Sequence, residues 1–377
     1  MRKRCSWNQG YTMSTENRKQ EHIELALMQQ FQGPLTTLLE DVTLIHNALP
    51  NVSYEKIDTS VTFLGFKLSA PVIISGMTGG TGKAYELNKR LAQVAEEFRI
   101  ALGVGSQRAM IEDPSLINTY RVVRDVAPSI PIISNIGFAQ LKKLSLEQIE
   151  NIVTSIEANA LAVHLNPAQE LVQPEGDKDF EDIINIIEML EHRLKVPIII
   201  KEVGNGLSKE VVEALYAIGI KIYDTAGAGG TNWVKIELMR AVKSGKTLTL
   251  HGEPFIVWGI PTAISICEAR AVSNEIIVIG SGGIRTGVDI AKAIALGADL
   301  VGVAQPLLRS IMIDSGKEYI SLLITQLKMA MALTGARSVE ELKSIPVVVL
   351  GKLAQWICAR KLRLRNIHAY IHCCINI

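Results

Sequence analysis

Along most of the chain, short runs of apolar, β-branched residues alternate with longer stretches in which apolar positions recur every three or four residues. The short runs are PVIIS (71–75), IALGVGS (100–106), PIISNIG (131–137), ALAVHL (160–165), PIIIKEV (197–203), IKIYDT (220–225), EIIVIGS (275–281) and DLVGVA (299–304). Polar residues do not alternate with apolar ones inside them, which predicts strands buried on both faces. Between them, YELNKRLAQVAEEF (85–98), LEQIENIVTSIEA (146–158), DFEDIINIIEMLEHRL (179–194) and SKEVVEALYAI (208–218) predict amphipathic helices. Ser208 with Glu210 marks a capped helix start. Strand and helix repeated eight times predict an α/β fold, a (β/α)8 TIM barrel. An open doubly wound sheet is the alternative. It favours GxGxxG after its first strand, and SGMTGGTG (75–82) does not match.

Three stretches fall outside the repeat: an N-terminal extension (13–70), an insertion after strand 6 (226–272) and a C-terminal helical segment (305–377). The expected organisation is one barrel domain over 14–356. Residues 1–13 precede it as a disordered or untranslated extension, with Met13 as an alternative start. Residues 357–377, ICARKLRLRNIHAYIHCCINI, form a divergent basic tail.

The chain has 377 residues, ordinary for one barrel with additions, and is 48% hydrophobic, enough for a large core. A net charge of +1 leaves no electrostatic footprint for nucleic acid. No apolar run approaches the ~18 residues of a membrane span, and MRKRCSWNQGYTM lacks the apolar core of a signal peptide. The five cysteines show no CxxC spacing and read as reduced thiols. A cytoplasmic protein with no nucleic-acid or membrane partner is expected.

Barrel enzymes place their chemistry at the C-terminal strand ends. Here these carry Met77 and Thr78 after strand 1, Ser106, Gln107 and Arg108 after strand 2, Asn135 at strand 3, and His164, Asn166, Gln169 and Glu170 after strand 4. Lys201 follows strand 5, Thr225 strand 6, SGGIRTG (281–287) strand 7, and Ala304 and Gln305 strand 8. Singly each has a bland reading: a turn asparagine, a snorkelling lysine, a tight glycine turn. Polar groups at all eight ends together point to a site. Gly282 and Gly283 leave room for backbone N–H groups to approach phosphate oxygens, the following helix favours an anion, and Arg285 adds a charged donor. Lys201 suits the N1/O2 edge of a reduced flavin, and Thr78, Asn135 and Thr225 its polar ring edge, a pattern that fits FMN. Arg18, Lys19 and His22, in NRKQEH, with Ser106, Gln107, Arg108 and His164, form a second cationic set, more than one phosphate needs. A substrate diphosphate would use them, with Asn166 and Gln169 alongside, and Glu170 would hold Mg²⁺. A solvated helix face is the alternative for RKQEH.

The motifs RKxEH (18–22), SGMTGG (75–80), GSQR (105–108), NxG (135–137), HLNPxQE (164–170), KEVGNG (201–206), GxGGTNWxxIE (227–237), WGIPT (258–262), SGGIRTG (281–287) and AQP (304–306) together resemble the type 2 isopentenyl-diphosphate Δ-isomerases. The resemblance runs from about residue 14 to about residue 352. It implies an FMN-binding (β/α)8 barrel that interconverts isopentenyl and dimethylallyl diphosphate in isoprenoid biosynthesis, without net redox change. It also implies NADPH as the reductant, Mg²⁺, and a homo-oligomer, a tetramer or octamer. FMN would be bound by Met77, Thr78, Ser106, Asn135, Lys201, Thr225, Gly283, Arg285, Ala304 and Gln305. Arg18, Lys19, His22, Ser106, Arg108, His164 and Gln169 would hold the substrate, and Glu170 the metal. The flavin itself would carry the central acid–base work, with Gln169 and Lys201 assisting. Trp233, Glu237 and Trp258 would cover the site or build a subunit contact, with core packing the alternative for both tryptophans. The competing activity is an FMN-dependent dehydrogenase or oxidase of a hydroxy acid, which wants a histidine base and an arginine clamp. A non-enzymatic barrel binding flavin or diphosphates is the third reading.

Overall fold

The computed structural model describes residues 15–28, 31–243 and 251–364. Eight parallel strands close into a barrel: β1 (Val72–Ile74), β2 (Ala101–Gly103), β3 (Ile132–Gly137), β4 (Ala160–His164), β5 (Ile198–Lys201), β6 (Ile222–Asp224), β7 (Ile277–Ser281) and β8 (Leu300–Val303). The barrel shuts where Val301 pairs with Val72. All eight apolar runs are therefore strands, each buried on both faces.

Alternation along the strands divides their side chains between two cores. Ile73, Ala101, Ile133, Ala160, Ala162, Ile199, Ile222, Ile279 and Leu300 pack inside the barrel. Their neighbours, such as Val72, Leu102, Ile132, Val163, Ile200, Tyr223 and Val301, face the helical ring. The inner core is closed from below by a hairpin in the N-terminal extension (Val61–Phe63 with Phe66–Leu68), whose Phe63 and Leu68 join it. With the hairpin beneath it, the barrel opens at the C-terminal strand ends.

The longer helices are α1 (Thr15–Ala26), α2 (Gly82–Glu97), α3 (Asn118–Val126), α4 (Leu146–Thr154), α5 (Pro167–Val172), α6 (Ile183–Arg193), α7 (Lys209–Ala217), α8 (Trp233–Lys243), α9 (Thr262–Arg270), α10 (Gly287–Ala295), α11 (Gln305–Met312), α12 (Gly316–Thr334) and α13 (Gly351–Arg360). Helix α2 begins ahead of the expected Tyr85 because the Thr81 hydroxyl caps it, accepting from the Ala84 amide. Ser208 caps α7 as expected, accepting from Val211.

The expected insertion (226–272) includes a regular barrel helix. α9 covers its last part and packs on β7, so the added segment is α8 and a short 3-10 helix (Glu253–Val257). The domain limit expected at residue 356 falls inside α13. Ile357 is 1% exposed, Leu362 and Leu364 are buried, and Arg360 pairs with Glu268 and Glu210. The strand at Val347–Val349 also ties this end to the N-terminal extension, pairing antiparallel with Val42–Leu44. The expected extension over 1–13 and the end of the tail beyond residue 364 lie outside the described residues.

Candidate functional site

A cavity of about 270 Å³ opens at the C-terminal mouth of the barrel, near the lower end of the ~300–1,000 Å³ usual for ligand sites. Inward alternation builds its floor: Ser75, Asn135, His164, Lys201 and Ser281 share the register of the inner core and line the cavity one step above it. Loops and α1 build its walls. Of the residues expected from sequence, Lys19, His22, Met77, Thr78, Ser106, Arg108, Asn135, His164, Asn166, Gln169, Glu170, Lys201, Gly282, Gly283, Arg285, Ala304 and Gln305 all line it.

Two expected residues lie elsewhere. Gln107 is fully buried behind the wall. Its amide nitrogen donates to Ile152 O (2.9 Å), while its Oε1 accepts from the Asn135 backbone N–H (2.9 Å). The chain turns into a short helix (Arg108–Glu112) at this point, which swings the side chain outward. Gln107 is thus a brace between the β2 and β3 ends. Thr225 follows inward-facing Asp224 and so points out of the barrel. It is fully buried, donating to Ile279 O and accepting from Ser281 N, each at 3.3 Å. Arg18 lies on α1 and its side chain is outside the described residues.

On one side of the cavity the loops after β6 and β7 press together. Gly282 and Gly283 have φ of 102° and 76°, and an added Cβ would come within 2.1 Å of Gly227 O and 2.4 Å of Gly229 O. Only glycine fits, and the backbone is left bare toward the cavity. Arg285 folds back over this turn, donating to Gly283 O (2.6 Å) and Gly229 O (3.0 Å). Thr286 caps α10 directly behind it. Across the floor, Lys201 donates to Glu202 O (2.7 Å) and faces Asp224 at 3.7 Å. The Thr78 Oγ1 and Asn166 Oδ1 atoms are buried with no hydrogen-bond partner in the protein.

The other side is cationic and polar. Lys19 reaches from α1 to Gly79 O (2.9 Å), Ser106 O (2.7 Å) and the Tyr120 hydroxyl (2.5 Å), which itself donates to Ser106 O (2.8 Å). Arg108 pairs with Glu112 at 2.7 Å. The Asn135 amide nitrogen donates to Val104 O (3.0 Å), so its oxygen faces His164 Nδ1 (2.8 Å), which therefore carries the proton. Burial, then the charges of Lys201 and Lys19, hold His164 down at about 3, so it is neutral at physiological pH.

Glu237 on α8 organises the remaining wall. Its carboxylate is fully buried and accepts from His22 (2.8 Å), Gln169 (2.9 Å) and Arg240 (2.5 Å). Arg240 also pairs with Glu21 (3.0 Å) and Glu175 (3.1 Å). Burial alone would raise the Glu237 carboxyl. The His22 hydrogen bond, the charges of His22 and Arg240 and the Gln169 hydrogen bond instead bring it to about 2. Trp233 lines the cavity and meets His22 edge-on at 5.2 Å, while Trp258 is 63% exposed and lies outside the cavity lining. Sequence reading expected Glu237 to cover the site or build a subunit contact, and missed Arg240. The signal was their spacing, since Trp233, Glu237 and Arg240 fall on one face of a helix.

Glu170 is buried in α5, accepting from Asn166 (3.2 Å) and the Asp177 N–H (2.8 Å). No group of three or more His, Cys, Asp or Glu side chains is placed to hold a metal among the described residues. Among those residues no helix is long and apolar enough to cross a membrane.

A family model described as FMN-dependent dehydrogenase matches residues 134–348. Among solved structures, a mandelate oxidase variant with a monooxide FMN adduct superposes with TM-score 0.60 at 17% identity, over 88% of this chain and 92% of that one. A flavocytochrome b2 variant with pyruvate bound gives 0.62 at 20%, over 89% and 82%. At such identity they speak for the barrel fold alone. The isopentenyl-diphosphate delta-isomerase of Sulfurisphaera tokodaii is 44% identical over 358 residues, 93% of this chain and 96% of that protein. That of Rickettsia felis is 45% identical over 328 residues, 86% and 94%. Identity of this order along nearly the whole length of both proteins places the chain in the isopentenyl-diphosphate delta-isomerase family.

Proposed function

We infer that the chain interconverts isopentenyl diphosphate and dimethylallyl diphosphate, with FMN as its resident cofactor. The observation that carries this is a single cavity with two anion-suited ends: a glycine cradle with Arg285 on one side, and Lys19, His22 and Arg108 on the other. One ligand phosphate explains the first, and a substrate diphosphate the second.

FMN fits the residues present. The bare turn at Gly282 and Gly283 with Arg285 would take its phosphate, and the unsatisfied Thr78 hydroxyl, with Asn135 and Lys201, its polar ring edge. Met77, Ser106, Ala304 and Gln305 would complete the contact. When bound and reduced, FMN supplies an electron-rich ring with a nitrogen able to carry a proton.

Moving the double bond needs a proton added at C4 of the isopentenyl unit and one removed from C2. The side chains around the cavity are poorly matched to that exchange. Glu237 stays ionised, with its value near 2, Gln169 has no titratable proton, and His164 is held neutral near 3. Burial pushes Glu202 up to about 7, but its Oε2 accepts the N–H groups of Val203, Gly204 and Asn205. What these residues do is orient. Glu237 fixes the Gln169 amide and the His22 ring, and Asn135 fixes the His164 tautomer. Lys201 favours negative charge on whatever lies against the floor. A weak base at His164 also counts against the hydroxy-acid dehydrogenase reading, which needs a histidine that takes up a proton.

Glu170 would hold magnesium, which would supply positive charge against the substrate diphosphate, one carboxylate plus substrate phosphates being its usual ligand set. NADPH as reductant, a cytoplasmic setting in isoprenoid biosynthesis and assembly into a tetramer or octamer belong to the same reading. The test is anaerobic: chain loaded with FMN, reduced with dithionite, with Mg²⁺ and isopentenyl diphosphate, followed by proton NMR. Both isomers should accumulate to a fixed ratio from either starting compound. Unchanged substrate with fully reduced, bound flavin contradicts the reading.

A further inference from the structure

We propose that Asp224, held by Ser281, is a positioning residue that sets how much positive charge Lys201 presents to the cofactor. The proposal rests on the reading that FMN lies on Lys201.

Asp224 ends β6 in the inward register, one layer above Ile222. It is 6% exposed. One carboxylate oxygen faces Lys201 Nζ at 3.7 Å, and the other accepts the Ser281 hydroxyl. Below the main cavity lies a small void of about 20 Å³, lined by Asp224, Lys201, Asn135 and Ser75 together with Ile199 and Ile279. Lys201 lines both spaces, whereas Asp224 lines only the lower one. The carboxylate is therefore placed under the lysine, on the side away from the ligand.

This is an expensive position for a charge. The layer beneath is Ile199, Ile222 and Ile279, and an isolated carboxylate against such a surface is strongly disfavoured. Barrel interiors are ordinarily filled at these layers by branched aliphatic residues. The pairing with Lys201 offsets the cost, and Ser281 fixes the geometry. An unpaired lysine would present its whole charge to the ring edge above. With Asp224 behind it, the field is reduced, and the balance between oxidised and reduced cofactor moves with it.

The experiment is an anaerobic reduction of the FMN-loaded chain against a reference dye, read from the flavin absorbance. Wild type, Asp224→Asn, Lys201→Met and the double variant are compared. Asparagine keeps the shape and an acceptor for Ser281. Asp224→Asn should raise the ratio of reduced to oxidised flavin about tenfold at a given dye potential, the equivalent of about 1.4 kcal/mol. In the Lys201→Met background the same change should have under about a twofold effect, because Asp224 lies below the floor and acts on the cofactor through the charge of the lysine above it. An unshifted potential in Asp224→Asn, or an equal shift in both backgrounds, overturns the proposal. Should Asp224→Asn fail to fold or to bind FMN, Ser281→Ala decides. Without the hydroxyl the carboxylate pairs more fully with Lys201 and the ratio should fall, and an unchanged ratio overturns it. If the wild-type chain takes up no FMN, the cofactor reading itself fails and this proposal with it. Uptake with an unshifted potential sinks the proposal alone.

Discussion

Replacing Glu237 with glutamine tests whether the α8 carboxylate holds the α1 wall of the cavity together. Its carboxyl sits at about 2 against an ordinary 4.5, despite complete burial. A difference of that size contributes about 3 kcal/mol of folding stability near neutral pH. The glutamine keeps one acceptor for His22 or Gln169 but turns an N–H group toward the Arg240 guanidinium. Arg240 retains Glu21 and Glu175, so the loss falls toward the lower end of the ~3–5 kcal/mol that follows breaking a buried pair. About 3 kcal/mol is expected at pH 7. The folded value is the lower one, so this stability is complete above the unfolded value near 4.5. It is lost as pH falls through about 2. Urea unfolding of both proteins at pH 7, 4.5 and 3, followed by tryptophan fluorescence, should show a gap that narrows across that window. A gap of the same size at pH 7 and pH 3, or one below about 1 kcal/mol at pH 7, refutes the reasoning.

His164, held near 3 by burial and by Lys201 and Lys19, should show no nitrogen-15 NMR titration between pH 5 and 8. Because its folded value lies below the ordinary 6.5, it makes the fold less stable as pH falls from there toward 3. A midpoint near 6.5 contradicts its placement. Gly283→Ala forces a side chain onto φ +76° and to within 2.4 Å of Gly229 O, strain of order 1–3 kcal/mol. FMN affinity, measured by fluorescence quenching, should fall about tenfold or more, and an unchanged affinity removes this turn from the cofactor site. Ile357→Ala empties a site that is 1% exposed and should cost about 2–5 kcal/mol in urea unfolding. A loss under about 1 kcal/mol would return the segment after residue 356 to the status of a tail.

The barrel was legible because parallel strands buried on both faces leave short continuous apolar runs, and these alternate with longer stretches of helical period. Helix boundaries were less so, since α2 takes its start from Thr81, ahead of its amphipathic pattern. α9 hid within a supposed insertion because its residues, from Thr262 to Ala269, are buried all round and show no polar face. At the site, Thr225 was named for a hydroxyl suited to a polar ring edge, without regard to the inward register of the strand. The alternation Ile222, Tyr223, Asp224 already places Asp224 inward and Thr225 outward. Gln107 was misread for another reason. The chain leaves the strand register after Gly103 and enters a helix at Arg108, and nothing local in GSQR reveals which way the glutamine turns. The Glu237–Arg240 pair joins α8 to Glu21 on α1 and Glu175, contacts set by tertiary packing.

The central claim is a redox-neutral isomerisation at this cavity. The most direct measurement uses FMN-loaded chain under anaerobic conditions with Mg²⁺, NADPH and isopentenyl diphosphate in D₂O, the products followed by NMR. The account predicts dimethylallyl diphosphate carrying deuterium, with NADPH not consumed in proportion to product. NADPH consumed mole for mole with formation of a reduced product contradicts it.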